Sequence, residues 1–351
     1  MKKKFAHCQA DDYAHAFVEE IIMRAAPGSR LPGMREMISR SGLGRIRLER
    51  VLKKFEQAGL ISVHDRSGRY RQSDPDNVPV VFIHFSPYPV VEKKDDFLGG
   101  IIASLRHAVS TNSQELAIIN ARDMQSAQLC SILQRRHIKQ AFIFASDDLT
   151  LTGMIRSQVP YTVSLLPRHT VKLGSELRDS PDMTSIQLKY LFQANCRRIG
   201  YIHNVEENWM QSPVQLHRLL DYYRIMAEQG LKIEPEWVFY CGYNWEHFNN
   251  NMYKLLKSPR QPEALIVPGS ALQNLYKFCA NNGITIGKEL AVMACDDTAP
   301  DLRPRATTVT NGPREIGEQA WQVMEQCLRG VEECRFTKLN IVTGETVLHR
   351  N

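Results

Sequence analysis

Leu48, Val51, Leu52 and Phe55 recur at i, i+3, i+4 and i+7 within "GLGRIRLERVLKKFEQAGLI", residues 42–61, and so line one side of a helix. Arg45, Arg47, Arg50, Lys53 and Lys54 occupy its other sides. Upstream, "DDYAHAFVEEIIMRAA" puts Tyr13, Phe17, Ile21 and Ile22 on one face, with Asp11 or Asp12 as cap and Pro27–Gly28 as stop. The short "GMREMISRSG" can turn Met34, Met37 and Ile38 inward and ends at Gly42. After the basic helix, Gly59 provides a C-cap, "LISVH" reads as a strand, "DRSG" as a turn, and "RYR" as a returning strand. Three helices and a two-stranded wing predict a winged helix-turn-helix over residues 1–73.

Residues 74–79 belong to the polar, Pro-containing stretch "RQSDPDNVP", which has no periodicity and reads as a linker. From there the pattern changes to apolar runs alternating with amphipathic segments. "VPVVFIHF", "ELAIIN", "QAFIFAS", "VPYTVSLL", "RRIGYIHN", "EALIVPG" and "ELAVMACDD" read as buried strands. Between them, "DFLGGIIASLRHAVS", "SAQLCSILQRRH", "MTSIQLKYLFQA", "VQLHRLLDYYRIMAEQG" and "ALQNLYKFCANNG" read as helices. Repeated βα units predict a doubly wound parallel sheet, and the length of 80–351 suits two such lobes. The first lobe is expected at about 80–195 plus 310–333, the second at about 196–309 plus 334–351. Ligands of this α/β architecture sit beyond the carboxyl ends of the strands.

Charge sharpens the division. The net charge of +6 is carried entirely by the N-terminal segment, where residues 1–73 hold 15 Lys and Arg against 8 Asp and Glu. Such asymmetry points to a polyanion partner for that domain alone. Arg45, Ile46 and Arg47 stand at the N-terminal end of the basic helix, where backbone N–H groups and positive side chains point the same way. The wing carries Arg66, Arg69 and Arg71, with Gly68 permitting its tight turn. A solvated basic face without a partner is the alternative reading of the same residues.

"GSRLPGMREMISRSGLGRIRLERVLKKFEQAGLISVHDRSGRY" resembles the DNA-binding domain of the GntR family. Leu31, Pro32, Arg35, Arg45, Leu48, Leu52, Gly59, Leu60, Ile61 and Gly68 fall on that family's pattern. The resemblance implies that Arg35 and Arg45 contact DNA and that Gly68 lies at the wing tip near the minor groove. Gly33 and Gly44 stand where the family has serines, and Glu49 where it usually has arginine, which implies altered operator contacts.

The second half resembles the LacI/GalR regulators and their periplasmic sugar-binding relatives, through "CRRIGYIHN", "HRLLDYYRIMAEQG", "PEALIVPGSALQNLYKFCANNGITIGKELAVMACDD", "RATTVTNGPREIGEQAW" and the closing strand "GETVLHRN". Together the two resemblances imply an arabinose-repressor-like architecture: a DNA-reading head on a sensor that takes a small molecule, most simply a sugar. Arg218 and Asp296 fall on that family's effector contacts. Gly269 and Ser270 fall where it usually has Asn-Asp. Trp209, Tyr243 and Trp245 could stack on a sugar ring, and Ser86, Asn120, Arg122, Ser146 and Asp147 lie at strand ends of the first lobe. Asp147 and Asp148 are equally suited to capping a helix.

No Walker loop, strand-linked GxGxxG, GxSxG or HExxH occurs, so an enzyme is not expected. The eight cysteines form no CxxC pair and sit mostly in apolar segments, as reduced buried thiols do. No cofactor or metal is expected. The opening "MKKKFAHCQADDY" lacks the apolar stretch of a secretory signal, so a cytoplasmic location is expected. A homodimer on a roughly palindromic operator is the expected assembly, and an orphan regulator with an unused cleft is the alternative function.

Overall fold

The computed structural model describes residues 2–25, 29–57, 61–64, 68–71, 80–85, 97–203, 213–241 and 245–348. The head consists of α1 (Lys2–Arg24), α2 (Met34–Ser41), α3 (Arg45–Gln57) and a hairpin of β1 (Ile61–His64) and β2 (Gly68–Arg71). The hairpin is antiparallel, with Ile61 opposite Arg71 and His64 opposite Gly68. On the other edge of β2, Leu31 N–H donates to the Arg69 carbonyl at 2.8 Å and Arg71 N–H to the Ser29 carbonyl at 3.0 Å. Gly42, at φ 67°, ends α2 in the left-handed conformation, with its N–H on the Ile38 carbonyl. Leu48, Val51, Leu52 and Phe55 are all buried and pack on Ala14, Phe17, Val18 and Ile21 of α1. Each such side chain contributes roughly 1.5–3 kcal/mol on burial.

Asp11 is not a cap, because α1 starts at Lys2. Its carboxylate instead accepts from Arg47 Nε at 2.6 Å and from Arg50 Nη1 at 3.4 Å, tying α1 to α3.

Beyond the head, strands and helices alternate as the apolar runs predict. The first set is β3 (Val80–His84), α4 (Phe97–Thr111), β4 (Leu116–Asn120), α5 (Ser126–Arg135), β5 (Gln140–Phe144), α6 (Leu149–Gln158), β6 (Tyr161–Leu165) and β7 (Ser175–Arg178). Next come α7 (Met183–Gln193), β8 (Ile199–His203), α8 (Pro213–Glu228), β9 (Val238–Tyr240), α9 (Trp245–Lys257), β10 (Ala264–Val267), α10 (Leu272–Asn281), β11 (Ala291–Cys295) and β12 (Thr307–Thr310). The last elements are α11 (Pro313–Leu328), β13 (Cys334–Phe336) and β14 (Asn340–Val342). The closing strand thus falls at Asn340–Val342 rather than in "GETVLHRN", where Thr346 bonds to both the backbone N–H and the carbonyl of Val292 without forming a ladder.

Two six-stranded sheets result, in the orders β13-β7-β6-β5-β3-β4 and β14-β12-β11-β10-β8-β9. Strands β3 to β7 pair in parallel, as do β8 to β12, while β14 runs antiparallel to β12. In each sheet the first strand lies between the second and the third, so the order reverses there, and ligands of this architecture bind beyond the strands' carboxyl ends at that point. This is the doubly wound parallel α/β class.

The chain divides into two compact units. One contains Met1–Pro167, Val171–Arg178 and Gly317–Arg335; the other contains Arg168–Thr170, Asp179–Ile316 and Phe336–Asn351. The division falls at 178/179 rather than 195/196 because α7 buries Met183, Leu188 and Leu191 beside Ile199, Tyr201 and Met293 of the second sheet. No helix among the described residues is long and apolar enough to cross a membrane.

His84 closes β3 and is 1% exposed. Burial, with Arg24 adding to it, lowers its pKa to about 4 from an ordinary 6.5. A histidine whose folded pKa is depressed stabilises the fold above the unfolded value and loses that stability as pH falls towards the folded one. A fall from 6.5 to about 4 corresponds to roughly 3–4 kcal/mol at most. Thermal melts should therefore show wild type losing stability between pH 6.5 and 4 relative to His84→Gln. Parallel pH profiles would show that His84 protonates freely in the fold.

Candidate functional site

The head presents a basic N-terminal end of α3. Ile46 is 76% exposed, unusual for an aliphatic side chain, and Arg45 beside it is largely exposed. Arg45 Nε donates to Glu49 Oε1 at 2.8 Å, an i,i+4 pair in open solvent. First-turn N–H groups of a helix have no intrahelical partner, so this end suits an anion. An exposed isoleucine there suits the methyl group of thymine. Arg47 and Arg50 lie further round, and both are held by Asp11. Arg35 is exposed on α2.

In the hairpin, Gly68 takes φ 107°, and a Cβ there would meet the Arg30 side chain at 3.0 Å. Arg69 is partly buried, with its Nε unpartnered within the protein. Arg71 turns inward instead of lining the wing: its Nη1 donates to the Ile22, Met23 and Ala25 carbonyls at 2.9, 3.3 and 3.1 Å. Arg66 lies outside the described residues.

The second site lies at the carboxyl ends of β11 and β12, with α8 supplying its cation. Arg218 is 4% exposed. Its Nη2 donates to Asp179 Oδ2 at 2.7 Å, and Asn311 Nδ2 donates to the other oxygen, Oδ1, at 3.1 Å. Burial works against the Arg218 charge, but Asp179 and then Asp296 outweigh it and raise its pKa. Among the described residues, Arg218 Nε and Asn311 Oδ1 are buried without a hydrogen-bond partner. Buried polar atoms are rarely left so, and an unpaired donor and acceptor at strand ends suit a polar ligand.

Asp296 directly follows β11, at φ 70°. Burial raises its carboxyl to about 6, with Arg218 opposing and Asp179 adding to the shift. Such displaced carboxyls concentrate at functional sites. One guanidinium therefore faces two carboxylates, with an amide alongside. Hydroxyl groups, which both donate and accept, complement this set.

The structure thus brings Arg218 and Asp296 together, with Asp179 and Asn311 as partners that no sequence spacing announces. Asn311 did carry a signal, as a polar residue immediately after a buried strand. Ser270 is exposed on the turn after β10. A Cβ at the preceding Gly269 would come within 2.8 Å of the Cys295 carbonyl and closer still to Thr298 Oγ1, so the loop has no room for a longer side chain there.

Asp147 is exposed in the other unit, beside Ser146, which bonds Thr152 at 3.0 Å. Asp148 caps α6 by accepting from Leu151 N–H. Asn120 is buried at the end of β4, and its side chain accepts from Arg122 N–H. Trp245 packs on the core and lies under Lys277 at 4.6 Å. Ser86, Trp209 and Tyr243 lie outside the described residues. Among the described residues no His, Cys, Asp and Glu cluster has metal-binding geometry.

Residues 188–347 match the periplasmic binding protein-like domain family. The chain is similar to the HTH-type transcriptional repressor CytR of Escherichia coli (strain K12), 23% identical over 146 residues that make up 41% of this chain and 42% of CytR. The chain therefore spans about two-fifths of the length of this curated relative. In fold it is similar to a LacI-family regulatory protein from Chloroflexus aggregans (TM-score 0.64, 16% identity, covering 77% of this chain and 99% of that one). It is also similar to the transcriptional regulator CelR in complex with cellobiose (TM-score 0.61, 16% identity, covering 90% and 99%).

A carboxyl raised on folding reduces stability as pH climbs from its unfolded to its folded value, here from 3.8 to about 6. Asp296→Asn should therefore melt higher than wild type above pH 6, by on the order of 3 kcal/mol at most, and lose that advantage near pH 4. This trend is opposite in sign to that of His84, so the two are separable by comparing each variant with wild type. A pH-independent difference would mean that Asp296 ionises as freely as in water.

Proposed function

We propose that this chain, whose residues 188–347 match the periplasmic binding protein-like domain family, is a bacterial transcriptional regulator that binds operator DNA under the control of a small polar molecule. The observation that carries the proposal is the pairing of two sites on one chain. An exposed Arg45–Ile46 end of a recognition-type helix lies in the head, and a buried Arg218 with an unpartnered Nε lies at the sheet's carboxyl edge. CytR, a transcriptional repressor, and CelR, solved with cellobiose, support the same pairing of roles. We assign no catalytic role.

In this reading the head is a GntR-type winged helix over 1–73, joined through 74–79 to an effector-binding region over 80–351. Arg45 and Ile46 meet base edges in the major groove, and Arg35 and the wing around Gly68 and Arg69 meet the backbone. Arg47 and Arg50, which share the single carboxylate of Asp11, serve mainly to hold α3 in place. Arg218, Asp296, Asp179 and Asn311 take the hydroxyls of a sugar or sugar derivative. A homodimer in the cytoplasm reads a two-fold operator, and effector binding shifts the dimer between DNA-competent and incompetent forms. Coupling of ~1–3 kcal/mol changes operator affinity roughly 5–150-fold. Ligand-independent regulation is the second reading, favoured by the absence at Gly269–Ser270 of a carboxylate that could reach a ligand.

Selection of bound duplexes from random-sequence DNA tests the proposal. Titrations on the selected duplex should show Arg45→Ala weakened by about 1–3 kcal/mol, with a shallower salt slope if the contact is to phosphate. Glu49→Gln should bind more tightly than wild type, because Glu49 no longer competes with DNA for Arg45. Wild-type affinity and salt slope in both variants would refute the recognition-helix assignment.

A further inference from the structure

The described head is not confined to its own core. α1 has two working faces. Ala14, Phe17, Val18 and Ile21 pack under α3, whereas Met23, 2% exposed, belongs to the first sheet's core beside Val81, Ile83 and Ile119. Glu19 and Met23 lie one helical turn apart and define this second face. Glu19, though acidic, is only 8% exposed and accepts from Arg106 Nη2 at 3.0 Å.

The strand that α1 packs against is β4, which among the described residues pairs on one side only, with β3. An unpaired strand edge exposes carbonyls and N–H groups that invite a partner. Here the carbonyl at the start of β4, Leu116, accepts from Arg106 Nη1 at 3.0 Å, and the carbonyl at its end, Asn120, accepts from Arg24 Nη2 at 2.8 Å. Arg24 also pairs with Glu20 at 2.7 Å.

The end of α1 is gripped from both sides. A helix C-terminus leaves carbonyls without intrahelical donors and favours cations. The Ile22 and Ala25 carbonyls receive Arg71 from the hairpin and also Arg136 from the end of α5, which is itself 8% exposed. One arginine belongs to the head and the other to the α/β body, and both close the same helix end.

We propose that the last turns of α1 dock the head onto the β4 edge, so that the recognition helix and the first sheet move as one body. The head is then no independently swinging module on a linker. Asp11 fixes α3 to the middle of the helix, while Met23 and Glu19, with Arg136 on its end carbonyls, fix its last turns to the sheet. A rotation of the sheet carries Arg45 and Ile46 with it. As a mechanism of regulation this rests on the proposed DNA reading, but the docking itself does not.

Pulsed dipolar spectroscopy on the full chain tests it, with spin labels on non-natural residues at exposed Glu56 of α3 and exposed Thr111 of α4. Wild type should give one narrow distance distribution. Met23→Gln combined with Arg136→Gln should broaden it, and the milder Glu19→Gln serves if that pair fails to fold. A broad distribution in wild type would overturn the docking, and an unchanged narrow one in the folded variants would overturn its assignment to these residues. DNA titration of Arg45→Ala is the separate control. A narrow distance with no Arg45 effect would leave the docking standing and remove the DNA reading from it.

Discussion

Arg218 cannot leave water without an anion, and the second unit is arranged around meeting that demand. A buried charge deprived of its partner destabilises a fold by ~3–5 kcal/mol, so Asp179 must stand where it stands. Asp179 follows β7 directly and Asn311 follows β12 directly, and their hydrogen bond orients the carboxylate towards α8. Asp296 then shares the same cation and keeps its proton up to about pH 6. Paired with Asp179 and within the electrostatic reach of Asp296, the guanidinium is already neutralised, which makes the site better suited to a neutral polyhydroxy ligand than to an anion. Arg218 Nε and Asn311 Oδ1, unpartnered among the described residues, are the atoms open to the proposed ligand.

The same demand for partners organises the other unit. The carbonyls that end α1 need donors, and Arg71 and Arg136 supply them from opposite sides. Asp11 needs a cation and takes Arg47 and Arg50, which leaves Arg45 as the α3 arginine most exposed to solvent. Glu49 holds Arg45 loosely, in solvent, where such pairs contribute little and are readily exchanged.

What could be read in advance was what depends on local period. The stripe Leu48, Val51, Leu52 and Phe55 and the continuous apolar runs of β3 and β4 predicted their elements, and with them the α/β class. α9 was not anticipated, because "HFNNNM" masks its buried Phe248, Met252 and Leu255, while α6 was signalled only by a helix-capping aspartate at 147 or 148, because Thr150 and Thr152 interrupt its apolar pattern. Arg218 and Asp296 were legible through resemblance to a family. Their partners were not, since Asp179 lies 39 residues from Arg218 and 132 from Asn311. The second face of α1 was hidden for a different reason. Glu19, Glu20 and Arg24 look like a solvated surface, and only the tertiary fold supplies Arg106, Met23 packing and the open edge of β4.

The central claim is that one chain couples a buried polar site to a DNA-reading helix, and ligand binding to the full chain tests it most directly. Thermal melting would be followed against mono-, di- and acidic sugars and purine nucleosides, in wild type, Arg218→Gln and Asp296→Asn. A neutral sugar class should stabilise wild type by about 2.7 kcal/mol at a hundredfold excess over its Kd and leave both variants unmoved. A flat wild-type response across the panel, or a shift that survives in both variants, would contradict it.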